Sequence, residues 1–251
     1  MIKLFRNIRK QLLEQGKTTN YLKYAIGEIV LVVIGILIAL QINNWNEDRK
    51  EKHVMKLALN SLIEDLKQDS IQLNANIKSI QEDMQRLDKF RERLSKPEAN
   101  IDTLKHIARY EYLPFFNPSN ELNRNTIVSL LSTGNLDLFD DVIKNEILKH
   151  NSKQLTLIKV MDENVQIFLT TQSTTGIIPQ SENPALEMAA IKGPLLDAYW
   201  NNLNDTDLIN RMMITISQKK MMQYIIELQK EDLYKETLRM IDLLKNYQNT
   251  L

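Results

Sequence analysis

Residues 21–47 read YLKYAIGEIVLVVIGILIALQINNWNE, and this stretch decides the fold. Residues 29–40 are an unbroken apolar run that is too short by itself to cross a bilayer. Apolar residues on both sides extend it to residues 24–42, close to the roughly 20 residues that a membrane-spanning helix needs. We therefore predict a transmembrane helix over residues 21–46.

Aromatic residues flank this apolar segment, with Tyr21 and Tyr24 before it and Trp45 after it. Such rings favour the headgroup region of a bilayer, so we expect these three residues to act as interface anchors. The alternative is a cleaved signal peptide, which usually has a shorter apolar core followed by small residues at a cleavage site. Here the polar sequence QINNW follows instead, which favours a retained anchor.

Composition predicts an all-α protein. The 251 residues include only 6 Gly and 6 Pro, so few residues break helices, and β-hairpin turns are not favoured. The net charge is zero, which gives no indication of nucleic-acid binding. The chain has no Cys, which excludes disulfides and thiolate metal sites.

Residues 1–20 are predicted to form a basic amphipathic helix at the membrane surface. Four apolar residues recur at helical spacing, namely Ile2, Phe5, Ile8 and Leu12. A solvated basic tail is the alternative. The basic residues before the span are less offset by acids than those after it, so we predict a cytoplasmic amino terminus. Everything after Trp45 is then periplasmic, in the inner membrane of a bacterium.

Gly27, Leu31, Gly35 and Ala39 recur every four positions within the span and form a stripe along one helix face. Three of these four residues are small. Such a stripe lets two helix backbones approach closely in lipid. It predicts a homo-oligomer, and the alternative is a lone helix whose small residues have no role.

Glu28 is the one acidic residue within the apolar segment. Carboxylates inside a membrane are costly and often functional. However, Glu28 lies near the cytoplasmic end, where it could extend toward the interface or pair loosely with Lys23. Both a structural role and a role in ion or proton handling remain open.

The helix is predicted to continue beyond the membrane to Leu94, because no Gly or Pro occurs between Asn46 and Ser95. Lys96-Pro97 then ends it. A heptad seam follows its extramembrane part, formed by Leu59, Ile63, Leu66, Ser70, Leu73, Ile77, Ile80, Met84 and Leu87. The seam could pack against later helices of the chain or against a second copy.

The remaining chain predicts further helices over residues 101–112, 120–132, from 137–141 to 171, 184–203 (broken or kinked at residues 193–194) and from 205 or 207 to 247. Gly134 is the expected left-handed stop of the second of these. Together with the first long helix, they predict an elongated antiparallel bundle over residues 47–251.

Two segments carry a family resemblance. Residues 24–47, YAIGEIVLVVIGILIALQINNWNE, follow a basic helix and resemble the amino-terminal signature of a family of bacterial single-pass inner-membrane proteins known only as a domain of unknown function. Residues 116–148 resemble that family's later pattern of a polar loop, a short helix, a Ser-x-Gly-x-Leu turn and a helix. The resemblance implies a membrane location and a helical extramembrane domain, and it implies no catalytic residues.

No motif for catalysis, cofactor binding or metal binding is found. His53, His106 and His150 are each isolated on a predicted helix, outside the spacings of helical metal sites. Asp65 and Asp69 share a helix face and could hold a cation, although such pairs are usually solvated.

We therefore expect a non-enzymatic, membrane-anchored scaffold or assembly protein that has no cofactor and binds an envelope protein or its own copies. One alternative is a ligand-binding sensor bundle that acts through a membrane partner. Another is a subunit of an oligomeric ion-conducting complex that uses Glu28.

Overall fold

The computed structural model describes residues 18–114, 122–175, 181–186 and 189–251. Its elements are α1 (Thr18–Leu94), α2 (Ile101–His106) continued by a π-helical turn (Ile107–Glu111), α3 (Asn125–Thr133), a 3-10 turn (Asn135–Leu138), α4 (Asp141–Thr175), α5 (Pro194–Asn202) and α6 (Asp205–Gln248). These residues contain no β-strand, and the predicted all-α class is confirmed.

Helix α1 confirms the prediction that one helix contains the apolar segment and continues to Leu94. The predicted surface helix over residues 1–20 falls largely outside the described residues. The chain divides into two compact units, Met1–Leu57 and Ala58–Leu251.

In the second unit, α6 runs antiparallel to both other long helices. Gln248 near its end donates to Asn60 of α1 at 2.6 Å, whereas Glu227 accepts from Gln81 at 2.8 Å. Along α4, Glu146 pairs with Arg239 of α6, whereas the later Lys153 lies 2.8 Å from the earlier Asp232. Helices α1 and α4 therefore run in the same direction, and α6 runs in the opposite direction.

The heptad seam of α1 is buried within the chain. Leu73 and Ile80 pack in one cluster with Leu157 and Met161 of α4 and with residues of α6. Two positions differ from the predicted seam. Ser70 and Met84 are only partly buried, whereas their neighbours Asp69 and Asp83 are buried. Both carboxylates face the interior of the bundle. There Gln154 donates a hydrogen bond to Asp69, and Gln223 donates one to Asp83.

The predicted helix over residues 120–132 begins later than expected, at Asn125. Asn120 lies outside the described residues. Asn123 is outside the helix because Asp69 accepts hydrogen bonds from both its backbone and its side chain. Gly134 ends α3 at φ 73°, in the left-handed conformation predicted for it.

The prediction of a helix starting at Pro184 is wrong, because residues 184–186 form only a turn. The preceding residues are held to the π-helical turn instead. Glu182 donates its backbone N–H to the carbonyl of Arg109 at 2.7 Å, and buried Asn183 donates to the carbonyl of Tyr112 at 3.4 Å. Helix α5 starts at Pro194, directly after Gly193 at φ 73°.

Candidate functional site

The apolar part of α1 is the first candidate site. Helix α1 is long and apolar enough to cross a membrane, and none of its apolar window is buried inside the chain. A buried core helix would have these residues covered by the rest of the fold. An exposed apolar surface of this length is typical of a membrane anchor or of a site that binds another polypeptide.

The predicted small-residue stripe lies on this exposed surface. Gly27, Gly35 and Ala39 are exposed, and Leu31 is 55% exposed. A Cβ atom added at Gly27 or Gly35 would meet nothing within 4 Å in the part of the chain that the structure describes. The stripe thus has room for the close approach of another helix.

The other predicted residues of the span are placed on the same helix. Glu28 is partly exposed. Trp45 is 63% exposed, and the guanidinium of Arg49 lies 5.7 Å from the centre of its ring. The side chains of Tyr21 and Tyr24 fall outside the described residues, so their anchoring role stays a prediction.

A buried polar cluster joins α1 to the start of α3. Asp69 is fully buried and accepts hydrogen bonds from the backbone N–H of Asn123 at 2.7 Å and from Gln154 at 2.8 Å. Burial raises the pKa of Asp69, and these hydrogen bonds oppose that effect. Asp65 accepts from the backbone N–H of Thr126 at 3.2 Å.

Asp65 and Asp69 therefore hold the start of α3 against α1. Both oxygens of Asp69 accept from neutral donors, which corrects the expectation of a solvated carboxylate for Asp69, whereas Asp65 is partly exposed. Within the described residues, no group of three or more His, Asp or Glu side chains is placed to hold a metal ion.

A buried ion pair lies farther along α1, where this helix meets α6. Lys219 of α6 is fully buried and lies 2.7 Å from a carboxylate oxygen of Asp83. Its ammonium group also donates to the carbonyl of Leu113 at 2.6 Å and lies 5.6 Å from the ring centre of Tyr112. Burial lowers the pKa of Lys219, and Asp83 opposes this effect. Gln223 donates a further hydrogen bond to Asp83.

Two other ionisable residues of the bundle, one on α4 and one on α6, are buried. His150 is 4% exposed, and its Nε2 atom lies 3.0 Å from the hydroxyl oxygen of Thr237. Burial lowers the pKa of His150 to about 4. Lys230 is 1% exposed, and burial lowers its pKa to about 8. His106, in contrast, is exposed beside Glu111.

A cavity of about 810 Å³ lies between the end of α1, α2 and the first turns of α6. Its lining is largely aliphatic, and the residues are Leu87, Arg91, Leu94, Ser95, Ala99, Asn100, Ile101, Leu104, Asp205, Ile209, Met212, Met213, Ile216, Ser217 and Lys220. Leu87, Leu104 and Met212 are buried and also belong to the adjoining core cluster. A cavity of this size and character can hold a small apolar ligand.

Two of the three charged residues described in the lining of this cavity already have a partner of opposite charge. Asp205 pairs with Lys105 at 3.3 Å, and Lys220 pairs with Asp88. The guanidinium of Arg91 is exposed and makes no hydrogen bond or ion pair with the described residues. Among the lining residues that the structure describes, one cationic group is therefore available to a ligand.

Sequence reasoning missed both the buried ion pair and the cavity. The sequence does contain one signal for Lys219 and Lys230. The buried residues of α6 recur every three or four positions, and both lysines occupy positions in that series. A cationic residue at such a position indicates a buried partner or a depressed pKa. The cavity has no comparable signal, because residues from three separate helices form it.

The comparisons with known proteins support the resemblance noted for residues 24–47, whereas residues 116–148 lie outside the matched range. The model of a family described as "Family of unknown function (DUF6090)" matches residues 28–115. This match includes most of α1, with its apolar segment from residue 28 onward, and extends through α2 and the π-helical turn. No curated protein and no solved structure matches the chain.

Proposed function

We propose that this protein is a non-enzymatic, membrane-anchored scaffold that self-associates through the span of α1. The observation that carries the proposal is that the small residues Gly27, Gly35 and Ala39 share one face of an exposed apolar helix. Two copies that pack along this stripe would bring their backbones close together, as small residues permit in lipid. The buried polar groups hold helices together, which supports a structural role for the bundle.

In this proposal, α1 crosses the inner membrane of a bacterium with the amino terminus in the cytoplasm. The bundle lies in the periplasm and binds an envelope protein or other copies of the chain. The distribution of basic residues around the span supports this orientation. Glu28 then lies near the cytoplasmic interface, where we assign it a structural role.

Cross-linking of the full chain in membranes tests the self-association. Because the natural chain has no Cys, a single introduced Cys reports one position. Asn46 lies seven residues after Ala39, on the stripe side of the helix, whereas Asn44 lies on the opposite side. We expect Asn46→Cys to form a disulfide-linked dimer on mild oxidation and Asn44→Cys to form far less.

A second substitution then tests the stripe itself. Gly35→Leu in the Asn46→Cys background should reduce the dimer severalfold, because the added side chain separates the backbones. Val33→Leu also adds bulk, but on the opposite face, and should leave the dimer unchanged. Equal cross-linking at both Cys positions, or a monomer at all protein-to-lipid ratios, would refute the proposed interface.

A further inference from the structure

We propose that the cavity between α1, α2 and α6 binds a fatty acid, a molecule with one carboxylate and a flexible hydrocarbon tail. This inference is independent of the scaffold function, because the cavity lies within the second unit and the proposed self-association uses the span.

The walls of the cavity suit a hydrocarbon tail. Leu87, Leu104 and Met212 are buried and supply the inner surface, whereas Ile209 is 42% exposed and Met213 is 63% exposed. A bound tail would cover the last two side chains and remove apolar surface from water. No aromatic side chain is among the described lining residues, so the walls offer no flat surface for stacking a planar ligand. Methionine adapts readily to a flexible chain.

The charge at the cavity suits one carboxylate. Lys220 and Asp205 already have partners of opposite charge, so the guanidinium of Arg91 is the cation left for a ligand among the described lining residues. Guanidinium and carboxylate groups match as bidentate hydrogen-bonding partners. One cation balances the single charge of a carboxylate, whereas a phosphate monoester carries about −1.5 to −2 at neutral pH.

The volume of the cavity and the position of Arg91 both agree with a fatty acid as the ligand. The cavity volume of about 810 Å³ lies in the range of roughly 300–1,000 Å³ that is typical of ligand sites. Arg91 occupies the face of α1 between Leu87 and Leu94, both of which line the cavity. A carboxylate at Arg91 therefore has its tail directed along aliphatic walls.

Photolabelling of the full chain in phosphatidylcholine nanodiscs tests the site. The probe is decanoic acid that carries a diazirine near its methyl end, and labelled peptides are mapped by mass spectrometry. Decanoate, 1-decanol and decyltrimethylammonium serve as competitors with the same tail and different head groups. The variants are Arg91→Met, Ser217→Trp to fill the cavity, and Lys89→Met as a control that removes an exposed cation outside the lining.

We expect labels on the inner wall, with decanoate competing at about tenfold lower concentration than 1-decanol, as one charge-assisted contact permits. Arg91→Met should remove this preference, Ser217→Trp should remove the labelling, and Lys89→Met should change neither. Labelling confined to the span would overturn the proposal. So would equal competition by the ammonium compound, or an unchanged decanoate preference in Arg91→Met.

Discussion

Replacing His150 by Gln should make the free energy of unfolding less dependent on pH between about 4 and 6.5. His150 is buried, and its ring contacts the hydroxyl of Thr237. Burial is the main reason that its pKa falls from 6.5 to about 4. The nearby Glu236 carboxylate opposes this shift, whereas the positive charges of Lys153 and Arg239 add to it.

The direction of this pH dependence follows from the protonation of His150 in the folded and unfolded chain. Below pH 6.5 the unfolded chain binds a proton at His150, whereas the folded protein does not bind one until about pH 4. Unfolding is therefore favoured progressively as the pH falls through this window, and the effect is absent above it. A pKa difference from 6.5 to about 4, at about 1.4 kcal/mol per pKa unit, corresponds to a loss of about 3 kcal/mol by pH 4.

Urea unfolding of the full chain in detergent, measured from pH 7.5 to pH 4, tests this prediction. Gln retains a donor for Thr237 but does not titrate, so the difference between the two proteins isolates His150. The raised pKa of Asp69 acts in the opposite direction and is common to both proteins. His53→Gln, at an exposed position, is the matched control and should follow the natural protein. If His150→Gln loses stability in parallel with the natural protein as the pH falls, the reasoning is refuted.

Two further pairs of substitutions test the buried ion pair and the left-handed helix end. Lys219→Met should lower the free energy of unfolding by about 2–3 kcal/mol, because Asp83 loses its buried counter-ion and keeps Gln223 and the half-exposed Arg86, 3.1 Å away, as partners. Lys220→Met, next to it but partly exposed, should cost less than about 1 kcal/mol, and similar losses in urea unfolding would contradict a special role for the buried pair. Gly134→Ala should cost about 1 kcal/mol, because φ is 73° and the neighbouring space is open. Gly134→Asn should cost less, since Asn tolerates this conformation, and equal losses would argue against backbone strain as the cause.

The long helices could be predicted from the sequence because their determinants are local. Helix α1 has no Gly or Pro from Asn46 to Ser95. Gly134 ends α3 in the left-handed conformation, and Asn204 caps the start of α6, as is common for these residue types. The side chain of Asn204, for example, accepts a hydrogen bond from the backbone of Asp207 at the start of α6.

The buried polar contacts could not be predicted, because their partners are distant in the chain. Asp69 meets Asn123 and Gln154, which lie 54 and 85 residues later. A heptad pattern assigned from apolar residues alone therefore placed Ser70 on the seam instead of Asp69. Pro184 follows a residue that commonly caps helices, yet tertiary contacts of Asn183 prevail over that local preference.

The location of α1 in the membrane is tested most directly by the accessibility of single Cys residues to a membrane-impermeant maleimide in intact spheroplasts. We predict that Ser79→Cys, at an exposed position, reacts in intact spheroplasts, and that Lys10→Cys reacts only after the inner membrane is opened. Leu37→Cys, within the apolar segment, should react in neither condition. Reaction of Ser79→Cys only after the membrane is opened, or ready reaction of Leu37→Cys, would contradict the account.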